Sequence, residues 1–239
     1  MTRLRTLTGM ALREMWISFR LIAVIGLPMI GGMAVIALPP DVAGVTAIGG
    51  AGFWYAIVAA AAICVASAIA AGTMANERHR GTVAWMAVRA VPRSAVLLSW
   101  FLAFGILLAA GIGIGSVGAW LAAVARADAP PNVVPFAIAI LAAGGVALAG
   151  VAAGLLIGAL LRTIPAVVVA LVLCGVLLAV SIVLPLGSAL LPTEGIRLLA
   201  HLDDAARPIS DGLRSTGLAL AIAAALLVLG GAALERSDL

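Results

Sequence analysis

The chain contains no lysine; all 14 of its basic residues are arginine. A P-loop places a lysine on the β- and γ-phosphates, so this sequence supplies no ordinary ATP site of its own. Charge of either sign is scarce, at 10% of residues, where a soluble domain carries about 25%. Such a surface is not built to face water. Histidine occurs only as His79 and His201, and cysteine only as Cys64 and Cys174. Their dispersal gives no metal-ligand spacing and no acid–base constellation. No catalytic, cofactor-binding or metal-ligating residue is therefore expected, and the chain is not read as an enzyme. Both cysteines lie inside apolar runs, where a thiol packs as a small hydrophobe and carries no message about redox compartment.

What the sequence does have is apolar length. Of 239 residues 64% are hydrophobic, and the mean hydropathy is +1.25. Charged residues divide the chain at Arg20, Asp41, Glu77, Arg93, Arg126, Asp128, Arg162, Glu194, Arg214 and Glu235. Six uncharged windows result, each long enough for the ~20 apolar residues needed to cross a ~30 Å hydrocarbon core, and none long enough for two crossings and a turn. The expected fold is an all-α membrane protein, a single transmembrane domain over 1–239. Its six spans fall near 21–38, 49–74, 95–124, 134–161, 164–185 and 215–234.

Arginine placement orients these spans. With the N-terminus inside, ten arginines (3, 5, 13, 20, 78, 80, 89, 93, 162 and 236) are cytoplasmic and four (126, 197, 207 and 214) are outside. That bias puts both termini in the cytoplasm of a multi-pass cell-membrane protein. Trp54, Tyr55 and Trp120 then fall near outer span ends, and Trp16, Trp85 and Trp100 near inner ones. The net charge of +4 is explained by arginines at loop ends facing membrane lipids, and no nucleic-acid partner is expected. Residues 1–20 are long for the charged lead of a signal peptide, and no A-x-A site ends the following apolar run, so the first span reads as an uncleaved helix. At 100° per residue, Leu4, Ala11, Leu12, Met15 and Phe19 share one side of 1–20, with Arg5, Arg13 and Arg20 on the other. This predicts an amphipathic interfacial helix with its arginines toward lipid phosphates.

Several patterns are structural. Gly113-Ile-Gly-Ser-Val-Gly118 matches a dinucleotide-binding fingerprint but lies inside an apolar helix, not between strand and helix. Gly111 and Gly115, and the ladder Gly150, Gly154, Gly158, read as small-residue packing ridges, within one chain or between two. Pro28 is expected to kink the first span, while Pro135 and Pro165 sit in first helical turns, where proline is tolerated. Residues 186–214 form a broken outer segment, too short for another crossing and suited to a re-entrant or interfacial hairpin. No carboxylate lies within an expected span, whereas ion-coupled pumps usually place ionisable groups there.

The long inner loop, 75–94, carries the most information. Glu77, Arg78, His79 and Arg80 precede Gly81-Thr82 and the apolar stripe Val83, Trp85, Met86 and Val88; Pro92 then ends the segment. Thr82 is placed to cap a short amphipathic helix, held between two spans and presenting Trp85 and Met86. Tryptophan and arginine are favoured interface anchors.

At this loop the chain resembles the permeases of type-2 ATP-binding-cassette exporters, the drug and polysaccharide export family. Their second inner loop reads approximately E-x-x-x-G-T, then an apolar stripe and P-V-S-R. Here Glu77 takes the glutamate position, Gly81-Thr82 the Gly-Thr pair, and Val91 and Arg93 the valine and final arginine. Ala84 stands where the family usually has an acid, Ala90-Val-Pro92 shifts the proline, and Ser99 or Trp100 replaces a usual lysine. The resemblance implies a coupling helix docked on a separate cytoplasmic ATPase. It involves Glu77, Arg78, Arg80, Gly81, Thr82, Val83, Trp85, Met86 and Arg93. Two permeases, identical or paralogous, would pair over two ATPase copies, which bind ATP and Mg; this chain binds no cofactor. The substrate would be amphiphilic or hydrophobic: a drug, an antibiotic or a lipid-like compound. In this family the second and fifth spans usually face the pathway, which makes Ser67 and Ser181 candidate lining residues. Serines in spans also commonly hydrogen-bond their own backbone. A haem-exporter-like permease of cytochrome maturation shares the same plan. A secondary transporter or a structural membrane subunit without an ATPase is the reading from a different class, although no inverted repeat is detectable.

Overall fold

The structure, a computed structural model, describes residues 2–38, 47–80, 92–126, 132–183, 194–202 and 209–236. Every regular element among them is helical, with no strand. The elements are α1 (Thr2–Ile17), α2 (Leu27–Ala34), α3 (Ala47–His79), α4 (Arg93–Arg126), α5 (Val133–Leu160), α6 (Thr163–Val183), α7 (Glu194–Ala200) and α8 (Ile209–Arg236). A π-helical turn, Ile22–Gly26, leads into α2, and a 3₁₀ turn, Val35–Ala37, follows it. By length and composition α3, α4, α5, α6 and α8 can each cross a bilayer, and α1 with the rod 22–37 forms a bent pair that brings the count to as many as six. The chain is a helical multi-pass membrane protein.

The amphipathic reading of the N-terminus holds for most of α1. Ala11 and Met15 are buried, Leu4 and Leu12 half-buried, and Arg5 and Arg13 exposed. It fails at the last two residues. α1 ends at Ile17, Phe19 takes a left-handed φ of 57°, and the following rod departs at 83° to α1. The 100° periodicity stops with the helix, so Phe19 swings out to 72% exposure and Arg20 turns inward.

The effect of Pro28 is a local widening. Its ring would strike the carbonyl of Val24, and it lacks an N–H for the ladder. The π-helical turn just before it accommodates both faults. Pro28 and Gly32 are buried where α2 crosses α4. A Cβ at Gly115 would collide with the Pro28 carbonyl oxygen, and one at Gly118 with that of Gly32. This is a close backbone crossing, made possible by missing side chains.

The second glycine ladder joins α5 to α3. A methyl group at Gly154 would strike the Ser67 carbonyl oxygen, one at Gly158 the Ala71 carbonyl oxygen, and one at Gly150 the Ile63 side chain. Both ridges thus serve contacts within one chain. The centre of the bundle is α3 and α5; α8 packs on α5, α4 lies against α2, α3 and α5, and α6 leans mainly on α3. In the most apolar stretch of α6 only 17% of positions are buried, and in that of α8 28%, against 61% in α3 and in α5. These two helices form the periphery.

Two of the aromatics near expected span ends are buried within the bundle. Tyr55 is fully enclosed between α3 and α4, where its hydroxyl donates to the Ile112 carbonyl at 2.5 Å. Trp100 packs on Phe104 with ring centroids 6.0 Å apart and is 4% exposed. Their positions near span ends do not reveal which way they face on a helix. Trp16 does stay exposed, at 69%. Of the broken segment 186–214, the residues that would form a hairpin on either side of α7 lie outside the described ones, which include α7 itself. Its Gly195 lies against the Ala142 carbonyl of α5, and Gly52 of α3 against its Leu199 carbonyl. Ile196 and Leu199 are fully buried, so α7 closes that end of the bundle.

Candidate functional site

Of the residues expected in the coupling loop, Gly81, Thr82, Val83, Trp85 and Met86 lie outside the described residues. The two stalks that carry them are described. α3 runs on through Glu77 to His79, and the Arg80 N–H donates to the Asn76 carbonyl at 2.9 Å. With 33 residues α3 is about 50 Å long, far more than a hydrocarbon core requires. Glu77 therefore belongs to a helix rather than to a loop, and it is buried, at 5% exposure. His79 and Arg80 are exposed.

Arg78 and Arg93 reach across to neighbouring helices. The Arg78 guanidinium donates to the Ala159 carbonyl, at the C-terminal end of α5. Arg93, the first residue of α4, donates to the Leu234 carbonyl near the end of α8 at 2.7 Å. The last four carbonyls of a helix have no intrahelical donor, and the helix dipole makes that end attractive to cations. The opposite end of the bundle repeats the device, with Arg126 of α4 donating to the Ile36 and Leu38 carbonyls at 2.5 and 2.7 Å. Each arginine ties the end of one helix to the C-terminal end of another. In the sequence Arg78 and Arg93 belong to the expected coupling loop, and nothing local marks the carbonyls they meet, which lie on other helices.

The N-terminal arginines divide into two kinds. Arg5 and Arg13 are exposed. Arg20 donates through Nη1 to Thr73 Oγ1 at 2.9 Å, and Thr73 itself donates to the Ile69 carbonyl at 2.7 Å. Arg20 therefore fastens the α1–α2 elbow to α3. It also rims a recess of about 630 Å³ that contains Thr73, Asn76 and Thr163 above an apolar wall of Val65, Val167 and Leu171. A second recess, of about 610 Å³, is bordered by Arg78, His79, Arg162 and Thr163. The end of the bundle from which the 75–94 loop springs is thus basic.

Ser67 and Ser181 are both buried, at 1% and 3% exposure, but the structure does not bring them together. Ser181 lies about 10 Å along α6 from Cys174 and donates to the Leu177 carbonyl at 2.9 Å. Ser67 sits where α3 meets α5 and α6. The Cys64 and Cys174 thiols face each other there, and the Ser67 hydroxyl lies beside Cys174. That approach lacks the geometry of a regular hydrogen bond, and Ser67 Oγ is buried with no partner. Cys64 and Ser67, three residues apart, share one face of α3; what the sequence did not show is that Cys174, on α6, meets them. Among the described residues no group of three or more His, Cys, Asp or Glu is placed to hold a metal ion. No family model matches the sequence, and no curated protein matches it significantly.

Proposed function

We propose that the chain is the permease subunit of an ATP-binding-cassette exporter of the type-2 family. In this reading it crosses the cell membrane six times with both termini in the cytoplasm, pairs with a second copy or a paralogue, and docks two copies of a separate ATPase. ATP and Mg bind in that partner, in keeping with a chain that has no lysine. The cargo is an amphiphilic or hydrophobic compound.

The observation that carries the reading is the mounting of the 75–94 loop. Its residues Glu77, Gly81, Thr82 and Arg93 fit the exporter pattern, and its stalks are the ends of two long helices, α3 and α4. Arg78 ties one stalk to α5 and Arg93 ties the other to α8. A displacement applied to a helix at 82–88 is delivered at once to four spans. ATP-driven closure shifts the permease only through a difference in docking free energy between two states, and a stiff mount conserves that difference. The near-perpendicular α1, with Ala11 and Met15 packed inward and Arg5 and Arg13 exposed, suits a helix lying along the cytoplasmic membrane surface. The sparsely buried α6 leaves a broad apolar face for lipid or a second permease.

Export into inside-out vesicles holding the chain and its ATPase tests the reading. Trp85→Asp and a double Gly81→Ala, Thr82→Ala variant should insert normally and lose export. Full export by Trp85→Asp would remove the docking role.

A further inference from the structure

The two cysteines of the chain stand opposite each other on neighbouring helices. α3 and α6 run antiparallel: Asn76 and Thr163 border one recess, and Cys64 meets Cys174 further along. A Cβ at Gly72 of α3 would come within 2.9 Å of the Val167 side chain of α6. From that contact Cys64 lies about 12 Å along α3 and Cys174 about 10 Å along α6, so both reach nearly the same level. Their thiols face each other there, with the Ser67 hydroxyl beside Cys174. Ala71, Ala75, Ala166 and Ala170 line the crossing, and small residues let backbones approach closely. A disulfide needs Cα atoms within about 7 Å, a separation that such a crossing allows.

The pair is open on its apolar side. Both cysteines are only partly buried, and α6 is the least buried of the long helices. Cys174 borders an apolar recess of about 220 Å³ with Leu173, Leu177 and Leu226. A reagent dissolved in hydrocarbon reaches that sulfur, whereas an ion does not cross the bilayer to it.

We propose that Cys174 and Cys64 form a modification site, at which an organic hydroperoxide dissolved in the bilayer closes a disulfide. The Cys174 sulfur attacks the terminal peroxide oxygen. An S–O bond forms, the O–O bond breaks, and the thiol proton goes to the departing alkoxide, which leaves as an alcohol. The Cys64 sulfur then attacks the resulting sulfenic acid. The S–S bond forms, the S–O bond breaks, and hydroxide leaves with the Cys64 proton as water. Together the two sulfurs lose two electrons, which the hydroperoxide gains. The thiolate is the reacting form of cysteine. Ser67 Oγ, which has no hydrogen-bond partner, is placed to donate to the Cys174 sulfur as its proton leaves. The bond fastens the sparsely buried α6 to α3, the helix that leads into the 75–94 loop. It forms whether or not the chain docks an ATPase.

The test treats the full chain in lipid nanodiscs with cumene hydroperoxide, denatures it in dodecyl sulfate, and counts free thiols by alkylation and mass spectrometry. The chain has two cysteines, so every product can be assigned. The wild type should pass from two alkylated thiols to none, run as a single chain on a non-reducing gel, and regain both thiols with dithiothreitol. In Cys64→Ser, Cys174 should stop at the sulfenic acid and be trapped by dimedone. Ser67→Ala should slow the loss of thiols about five- to tenfold, the worth of one hydrogen bond, and reach the same final yield. Thiols that stay free in the wild type, a disulfide between chains instead of within one, or a Cys174 that does not oxidise in Cys64→Ser would each overturn the proposal. An unchanged rate in Ser67→Ala would remove Ser67 from it.

Discussion

Adding one methyl group at two different glycines should separate packing from propensity. Gly113 and Gly154 are both interior to long helices, and alanine at either one gains about 0.5–1 kcal/mol of helix stability. At Gly113 a Cβ meets nothing within 4 Å, so that gain should appear almost undiminished. At Gly154 the Cβ runs into the Ser67 carbonyl oxygen. That obstacle is backbone and cannot rotate aside, so α3 and α5 must separate and loosen the Gly150 and Gly158 contacts too. Overpacking of this kind costs about 1–3 kcal/mol. Because the propensity gain cancels in the comparison, Gly154→Ala should be about 1–3 kcal/mol less stable than Gly113→Ala. Unfolding in mixed detergent micelles with rising dodecyl sulfate, followed by far-UV circular dichroism, reads the difference. Equal stability of the two variants would refute the claim that the α3–α5 crossing depends on bare backbone at Gly154.

Tyr55→Phe removes the hydroxyl bonded to Ile112 and should cost about 0.6 kcal/mol in the same assay, since side-chain hydrogen bonds inside membrane bundles average about that value; a loss of several kcal/mol would mean that the hydroxyl organises more than one contact. Arg126→Met leaves the carbonyls of Ile36 and Leu38 without their charged donor, and hydrogen exchange should quicken at the end of α2 while the Arg78 end of the bundle stays protected. Arg78→Met should uncouple rather than unfold. Export is expected to fall several-fold with the melting curve nearly unchanged, and a parallel loss of both would reduce Arg78 to a structural tie.

Hydropathy and charge placement made the long helices legible, because a ~30 Å apolar core demands uninterrupted apolar length. Pro135 and Pro165 fell in first turns as read, since a missing N–H is harmless only there. What the sequence concealed were directions set by tertiary contact. Nothing local distinguishes Tyr55, turned inward to a carbonyl, from Trp16, turned outward. The amphipathic pattern of residues 1–20 assumed helix to the end, while the chain leaves it at Phe19 and carries Arg20 over to Thr73. The glycine ladders announced close approach but not the approaching helix, which is α2 for Gly115 and α3 for Gly154. For the candidate site, the sequence marked the 75–94 loop by its polarity between two apolar runs, and singled out Ser67 as one of few polar groups. It could not show that Arg78 and Arg93 bind helix ends, or that Ser67 lies beside Cys174, because those facts belong to pairs of helices.

The most direct test of a helix at 82–88 as the handle of a nucleotide-driven motor is purification of the full chain from its native membrane in mild detergent. Its co-purifying soluble proteins would be identified by mass spectrometry, with a Trp85→Asp chain run in parallel. A cytoplasmic P-loop ATPase at one copy per permease with the wild type, and absent with Trp85→Asp, is the predicted result. A wild-type chain that emerges with no nucleotide-hydrolysing partner, or a partner equally retained by Trp85→Asp, would contradict it.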